Sequence, residues 1–260
     1  MVLYLGKKPA RPGAVSFKFS DFASVAQMAE PPANFGHEKL VKRWGMKGND
    51  TAGDCVFAAT AHNIMLWCAE AGKPVDISDA TTLKNYSTFT NYDPSQTDPV
   101  TGENPTDQGT DMASWLAYWR KTGFVDDHGN AHKIGAYLSL NPHNPDEMRY
   151  AAYYFDGVLL GVNFPQQWMD IFNQGGRVWP ALKNPNYEGG HCITTISYRD
   201  KRPYDITWGA GVELTLGAVA QTCDEAYAIL TPEKLVKGVD GNGISYSKLT
   251  DYIKQLRSVK

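Results

Sequence analysis

Gly48-Asn49-Asp50-Thr51-Ala52-Gly53-Asp54-Cys55-Val56-Phe57-Ala58-Ala59 is a glycine-broken polar loop running into a small, apolar, helix-forming segment. A cysteine stands at the junction. At the first helical position, unpaired backbone N–H groups and the positive end of the helix dipole stabilise a thiolate. Asp54 is placed to act as the N-cap by accepting a bond from an early helix amide. The plainer reading is a small buried hydrophobe at a helix start, as free cysteines commonly are. Downstream, Val56, Ala59, Ile64, Leu66 and Trp67 leave apolar residues on nearly every side, so the helix, ending near Gly72, is expected to be buried.

The 260 residues suffice for one large domain or two small ones, and 42% hydrophobic with 20% charged residues allows an ordinary core. The net charge of -3 is unevenly spread. Lys7, Lys8, Arg11 and Lys18 make the first 20 residues basic, the last 30 are also basic, and the middle is acidic. An acidic centre argues against nucleic-acid binding. Cysteines at 55, 68, 192 and 223 contain no C-x-x-C pair, so neither zinc nor any other metal or cofactor is expected. In one helix Cys55 and Cys68 would lie about 20 Å apart, too far for a disulfide. No apolar run approaches the ~20 residues of a membrane span. The first eight residues are too polar for a signal peptide, so cytoplasmic synthesis is expected.

Residues 1–32 read as a Pro- and Gly-rich arm that packs across the domain, with a short strand at Val15–Ser20. Helices are expected at about Asp79–Phe89, Asp111–Thr122 and Pro145–Tyr154, the last capped by Asn144. The polar stretch 91–109 lacks the EF-hand spacing and is expected to be a functional or mobile loop. Strands are expected at 157–164, His191–Tyr198, Tyr204–Trp208, Val212–Thr215 and Ala226–Leu230, a turn at Asp240–Gly243, and a terminal helix from Tyr246 to Val259. Helices first and sheet later make an α+β chain. A helical lobe over about 33–140 and a sheet-rich lobe over about 141–230 would flank a cleft, with 231–260 as a C-terminal extension.

A nucleophilic Cys55 needs a base. His62 is on the same helical face but about 10 Å away and reads as core. His37, His128, His132 and His143 lie in polar surroundings. His191 follows Glu188-Gly189-Gly190 and opens an alternating strand, so its ring is expected to project into a cleft. The double glycine admits a substrate backbone. Alternation sends Cys192 to the other face, as core. On the next strand Asp205 and Thr207 share a face; Asp205, the stronger acceptor, is the expected orienting group. Asn49 and the Cys55 amide are the expected oxyanion donors.

These residues resemble the papain-like cysteine peptidases, in which Q-G-x-C-G-S-C-W leads into a central helix and a later histidine strand precedes N-S-W-G. His191 follows Cys55 by 136 residues, within the family's usual ~130–150. Asn49 falls six residues before Cys55, where the family has its oxyanion glutamine. Gln108-Gly109-Thr110 is similar to the glycine loop lining the substrate cleft, and Trp208-Gly209 to the late W-G pair. The chain also resembles uncharacterised bacterial and phage proteins with a G-N-D-x-x-G-D-C segment. The resemblance implies a two-lobed α+β fold and a thiol peptidase acting on peptide or protein substrates. The expected catalytic residues are Cys55, His191 and Asn49, which match the family's positions, and Asp205, read from the strand and one residue out of the family's register; Gln108, Gly109, Gly190 and Trp208 are expected to bind substrate. The departures are Asn49 for glutamine, Val56 for tryptophan, Asp54 before the nucleophile and Ile206 at the asparagine register. The last leaves a Cys–His dyad as the alternative to a triad. No long pro-region of the family's kind is evident. A cell-wall amidase, an isopeptidase, an acyltransferase and an inactive peptide-binding module are the other functions compatible with these residues.

Overall fold

The computed structural model describes residues 3–155, 157–237 and 243–258. The first elements are β1 (Phe35–Gly36), α1 (Cys55–Glu70), α2 (Asp79–Thr90), α3 (Met112–Lys121), β2 (Phe124–Val125) and β3 (Ala131–His132). Next come β4 (Ala136–Leu140), α4 (Pro145–Tyr154), β5 (Gly157–Pro165), α5 (Gln166–Asn173) and β6 (Val178–Trp179). The chain continues through β7 (Tyr187–Arg199), β8 (Arg202–Thr207), β9 (Ala210–Leu214), α6 (Leu216–Thr222) and β10 (Cys223–Leu230). Helices α7 (Pro232–Lys237) and α8 (Tyr246–Ser258) follow. Most of the expected Asp240–Gly243 turn lies outside the described residues.

One sheet dominates, in the order β4-β10-β5-β7-β8-β9-β6, with β1 added to β7. Its pairings are antiparallel except β6 with β9. Side chains alternate across it, as the strand period requires. Leu159, Cys192, Tyr227 and Ile229 join the α1–α3 core, whereas Leu160, Val162, Ile193, Ala226 and Ala228 join the core under α4, α5, α6 and α8. The sheet is therefore a wall between two cores, a two-lobed α+β architecture.

Helix α1 is buried from Cys55 to Leu66, as its all-round apolarity implies. It packs on β7 and against α2 and α3, where the Phe57 and Trp115 ring centroids are 4.1 Å apart. Thr60 keeps this interior satisfied: its hydroxyl donates to Val56 O and accepts from Trp115 Nε1 at 2.9 Å. Helix α4 has the expected cap, with Asn144 accepting from Glu147 N.

Three expectations need correcting. Val15–Ser20 forms no strand; Ser139 N donates to Phe17 O, Lys18 bridges to Ser139, and Phe19–Asp21 is a 3-10 turn. β4, in the stretch expected to be helical, edges the sheet beside β10. Helices α5, α6 and α7 were not anticipated; α5 and α6 are short and rely on aromatic and sheet packing more than on a long periodic pattern. The 91–109 loop is tied down internally, Asn104 Nδ2 donating to Asp93 O and Thr97 Oγ1. Among the described residues no helix is long and apolar enough to cross a membrane, and no His/Cys/Asp/Glu group could hold a metal.

Replacing Thr60 with valine keeps the volume and strands the Trp115 indole N–H. Urea unfolding should show a loss of about 1–3 kcal/mol. A loss under about 0.5 kcal/mol would mean that the indole has another partner.

Candidate active site

Strand β8 joins β7 only from Thr194 onward. The Cys192 N–H therefore has no strand partner on that side, and it donates to Cys55 Sγ at 3.3 Å. Strand amides point in the plane of the sheet, so the sulfur sits at the edge of β7 that β8 leaves unpaired. The peptide touching it is the one joining His191 to Cys192, which puts the His191 Cα within about 6 Å of the sulfur.

The imidazole is buried rather than projecting freely. Its Nε2 pairs with Thr207 Oγ1 at 2.7 Å. Trp208 stacks on it, with centroids 4.3 Å apart at 22°, and Phe164 meets it edge-on. Nδ1 has no hydrogen-bond partner. Burial alone pulls the histidine down to about 3.

Asp205 is not the group beside His191. Register pairs it with Thr195, whose hydroxyl donates to Oδ1 at 2.5 Å. Thr195 is four residues along β7 from His191, about 13 Å, beyond the reach of an aspartate. Thr207, two residues farther along the same face of β8, is the one that reaches. Sequence reasoning saw both and chose the stronger acceptor, whereas strand register decides.

Asp54 does not cap α1 through its side chain. Its carboxyl is fully buried without a hydrogen-bond partner. Burial first, then the nearby Asp107 charge, holds it well above the usual carboxylate range. A group so reluctant to ionise puts less charge beside Cys55 than an ordinary aspartate. Asn49 is buried, and its Nδ2 donates to Ala52 O at 3.0 Å, bracing the loop. Asp107 fastens that loop to the glycine loop. It accepts from Gly53 N at 2.8 Å and from Tyr86 O–H, whose oxygen accepts from Gly109 N at 3.0 Å.

The N-terminal arm fills the cleft. Tyr4 N donates to Asn49 O; Gly6 N and Lys7 N both donate to Gly190 O; Lys8 N donates to Thr110 O, and Thr110 N to Gly6 O. A Cβ on Gly6 would fall 1.8 Å from Gly53 O, so only glycine passes there. Arg11 ends the crossing with a two-pronged pair to Asp111. Gly109 and Gly190 thus face the backbone of the arm. Gln108 is exposed and donates back to Pro105 O, and Trp208 lies under the histidine. Burial pushes the Cys55 thiol up to about 12, and Asp54 adds to the rise; the N–H groups of Cys192 and Gly6 oppose it. A hollow of about 410 Å³ beside His37, Leu66 and Tyr153 is lined by neither Cys55 nor His191.

The other histidines keep structural posts. His62 is buried with Nε2 against Gly45 O, His37 pairs with Glu70, and His132 pairs with Asp126.

The fold that brings these residues together is similar to that of solved proteases. Xylellain, a cysteine protease from Xylella fastidiosa, superimposes with a TM-score of 0.62 at 14% identity, over 88% of this chain and 96% of that one. This chain has the papain-like fold. Procathepsin B S9 from Trypanosoma congolense gives 0.58 at 12% identity, over 87% and 86%. The Carica candamarcensis cysteine protease CMS1MS2 gives 0.52 at 11%, over 77% and 99%. No protein-family model matches the sequence, and no curated protein does.

Burial holds the Asp205 carboxyl up to about 7, with Thr195 pulling the other way. Unfolded, it would titrate near ~3.9. The folded state then binds the extra proton between those values, so this group favours folding at low pH and loses that contribution as pH rises towards 7. Asp205→Asn should flatten the fall in thermal midpoint between pH 4 and 7. Parallel wild-type and variant profiles would contradict the assignment.

Proposed function

We propose that the protein is a papain-like cysteine peptidase held closed by its own N-terminal arm. The observation that carries the reading is the contact of the His191–Cys192 peptide with Cys55 Sγ at the start of α1, with a tryptophan-covered imidazole alongside. With Nε2–H donating to Thr207 Oγ1, Nδ1 keeps a lone pair for the thiol proton. Cys55 then attacks the substrate carbonyl and forms a thioester with loss of the amine, to which His191 returns the proton; water then releases the acid. The Cys55 N–H at the helix start is one oxyanion donor, and Asn49 is the side-chain amide of the preceding loop. Thr207 takes the orienting role assigned to Asp205 from sequence. An amidase, isopeptidase or acyltransferase would use the same thioester; the filled cleft, which accepts an extended backbone, favours a peptide.

A thiol near 12 beside a histidine near 3 is a resting state. Departure of the arm takes the Gly6 N–H away from the Cys55 sulfur and opens the thiol to water. Gly6→Ala cannot seat against Gly53 O, so in the full chain it should raise Cys55 alkylation at neutral pH by ~10-fold or more and release peptide cleavage. Adding Cys55→Ala or His191→Ala should remove that cleavage, and Thr207→Val should lower kcat with little change in KM. Cleavage persisting without Cys55 would end the proposal.

A further inference from the structure

The arm carries one side chain that its backbone role does not explain. Lys7 is a lysine with no exposed side-chain surface. Its ammonium lies 3.0 Å from the Asp224 carboxylate, 3.2 Å from Glu225 Oε1 and 3.0 Å from Lys8 O. Those acceptors use all three of its protons. Tyr227 O–H donates to Glu225 Oε2 at 2.7 Å and fixes that carboxylate from behind. Burial draws the Lys7 ammonium down, but the charges of Glu225 and Asp224 outweigh it and the group stays above its ordinary value.

The slot is shaped for the stem as well as the charge. Gly161 forms its wall, and a Cβ there would fall 2.7 Å from both the Lys7 Cδ and the Glu225 Cγ. Its entrance is the substrate cleft. Lys7 N donates to the carbonyl of Gly190, the residue before His191, and the neighbouring Gly6 lies against the Cys55 sulfur. Any extended chain that replaces the arm meets the same carbonyl and the same slot. Once Lys7 leaves, Glu225, with only 7% of its side chain exposed, faces the vacated slot uncompensated. Uncompensated buried carboxylates are costly, so the slot favours a replacement cation.

We propose that Asp224, Glu225, Tyr227 and Gly161 form a specificity pocket for a lysine side chain of the substrate, next to the scissile region, and that Lys7 is its internal occupant. This rests on the peptidase reading and names its substrate class: peptides with lysine at the position lying against Gly190.

The test uses the full chain carrying Lys7→Ala, in a Cys55→Ser background for binding and with Cys55 intact for turnover. Two peptides are compared, acetyl-Leu-Gly-Lys-Lys-amide and the same peptide with norleucine for its first lysine. For turnover each is flanked by a fluorophore and a quencher, so that cleavage at any of its peptide bonds is read. Calorimetry should show the lysine peptide binding ~10-fold or more tightly, since it alone supplies the charged hydrogen bonds. Adding Glu225→Gln should cut that preference to about threefold or less. Equal affinity, no binding of either peptide, or a preference unchanged by Glu225→Gln overturns the pocket. Lysine-selective binding without turnover would sink the peptidase reading and leave the pocket standing; equal turnover of both peptides would do the reverse. Should Lys7→Ala not fold, Gly6→Ala, which displaces the arm with Lys7 intact, carries the same comparison.

Discussion

The hydrogen bond from Cys192 N to Cys55 Sγ is the constraint on which the site depends. It exists because β7 outruns β8 and leaves one strand amide unpaired at the point where α1 begins. Burying α1 against β7 fixes the helix, and the helix start then has one place to put its first side chain. Histidine comes with the arrangement, being the residue before that amide. Two short sequence facts, a cysteine at a helix start and a histidine one residue before the contacting amide, thus become a single geometric object.

The same edge of β7 binds the arm. Gly190 and Cys192 point their backbone groups to the same side, so the Gly190 carbonyl receives Gly6 and Lys7 where the Cys192 amide receives the sulfur. Burial in this closed form pushes the Cys55 thiol up and pulls the His191 imidazole down. In the proposed peptidase that suits a covered site, which needs no charge until the arm departs.

Much of this was legible in the residues. α1, α2, α3, α4 and β5 are long or strongly patterned, and their bounds came out close; β7 begins four residues before the expected His191, because Glu188, Gly189 and Gly190 carry no strand pattern of their own. Cys55 and His191 were singled out because a thiol at a helix start and a histidine after two glycines are local signals, and the structure brings the two residues together. The orienting group was not legible, because choosing between Asp205 and Thr207 requires the β7–β8 register, which a bulge after Thr195 shifts. Asp54 was misread as a cap because its burial depends on the Gly48 backbone, where a Cβ would fall 2.9 Å from Asp54 Oδ2, a contact from outside the helix. Lys7 entered the sequence reading only as one of four basic residues near the N-terminus; its partners Asp224 and Glu225 are over 200 residues away. An α+β fold could be argued from order of elements, whereas the arm's path could not, since it is made of backbone bonds that any sequence with Gly6 in place could form.

The proposed role of Cys55, a nucleophile activated by His191 beneath the arm, can be read by mass spectrometry of the full-length Gly6→Ala protein after reaction with a lysine-bearing peptidyl acyloxymethyl ketone. One adduct is expected, on Cys55, and it should be lost with His191→Ala while Cys68, Cys192 and Cys223 stay free. Labelling that spreads over the other cysteines, or that persists at the same rate without His191, would contradict it.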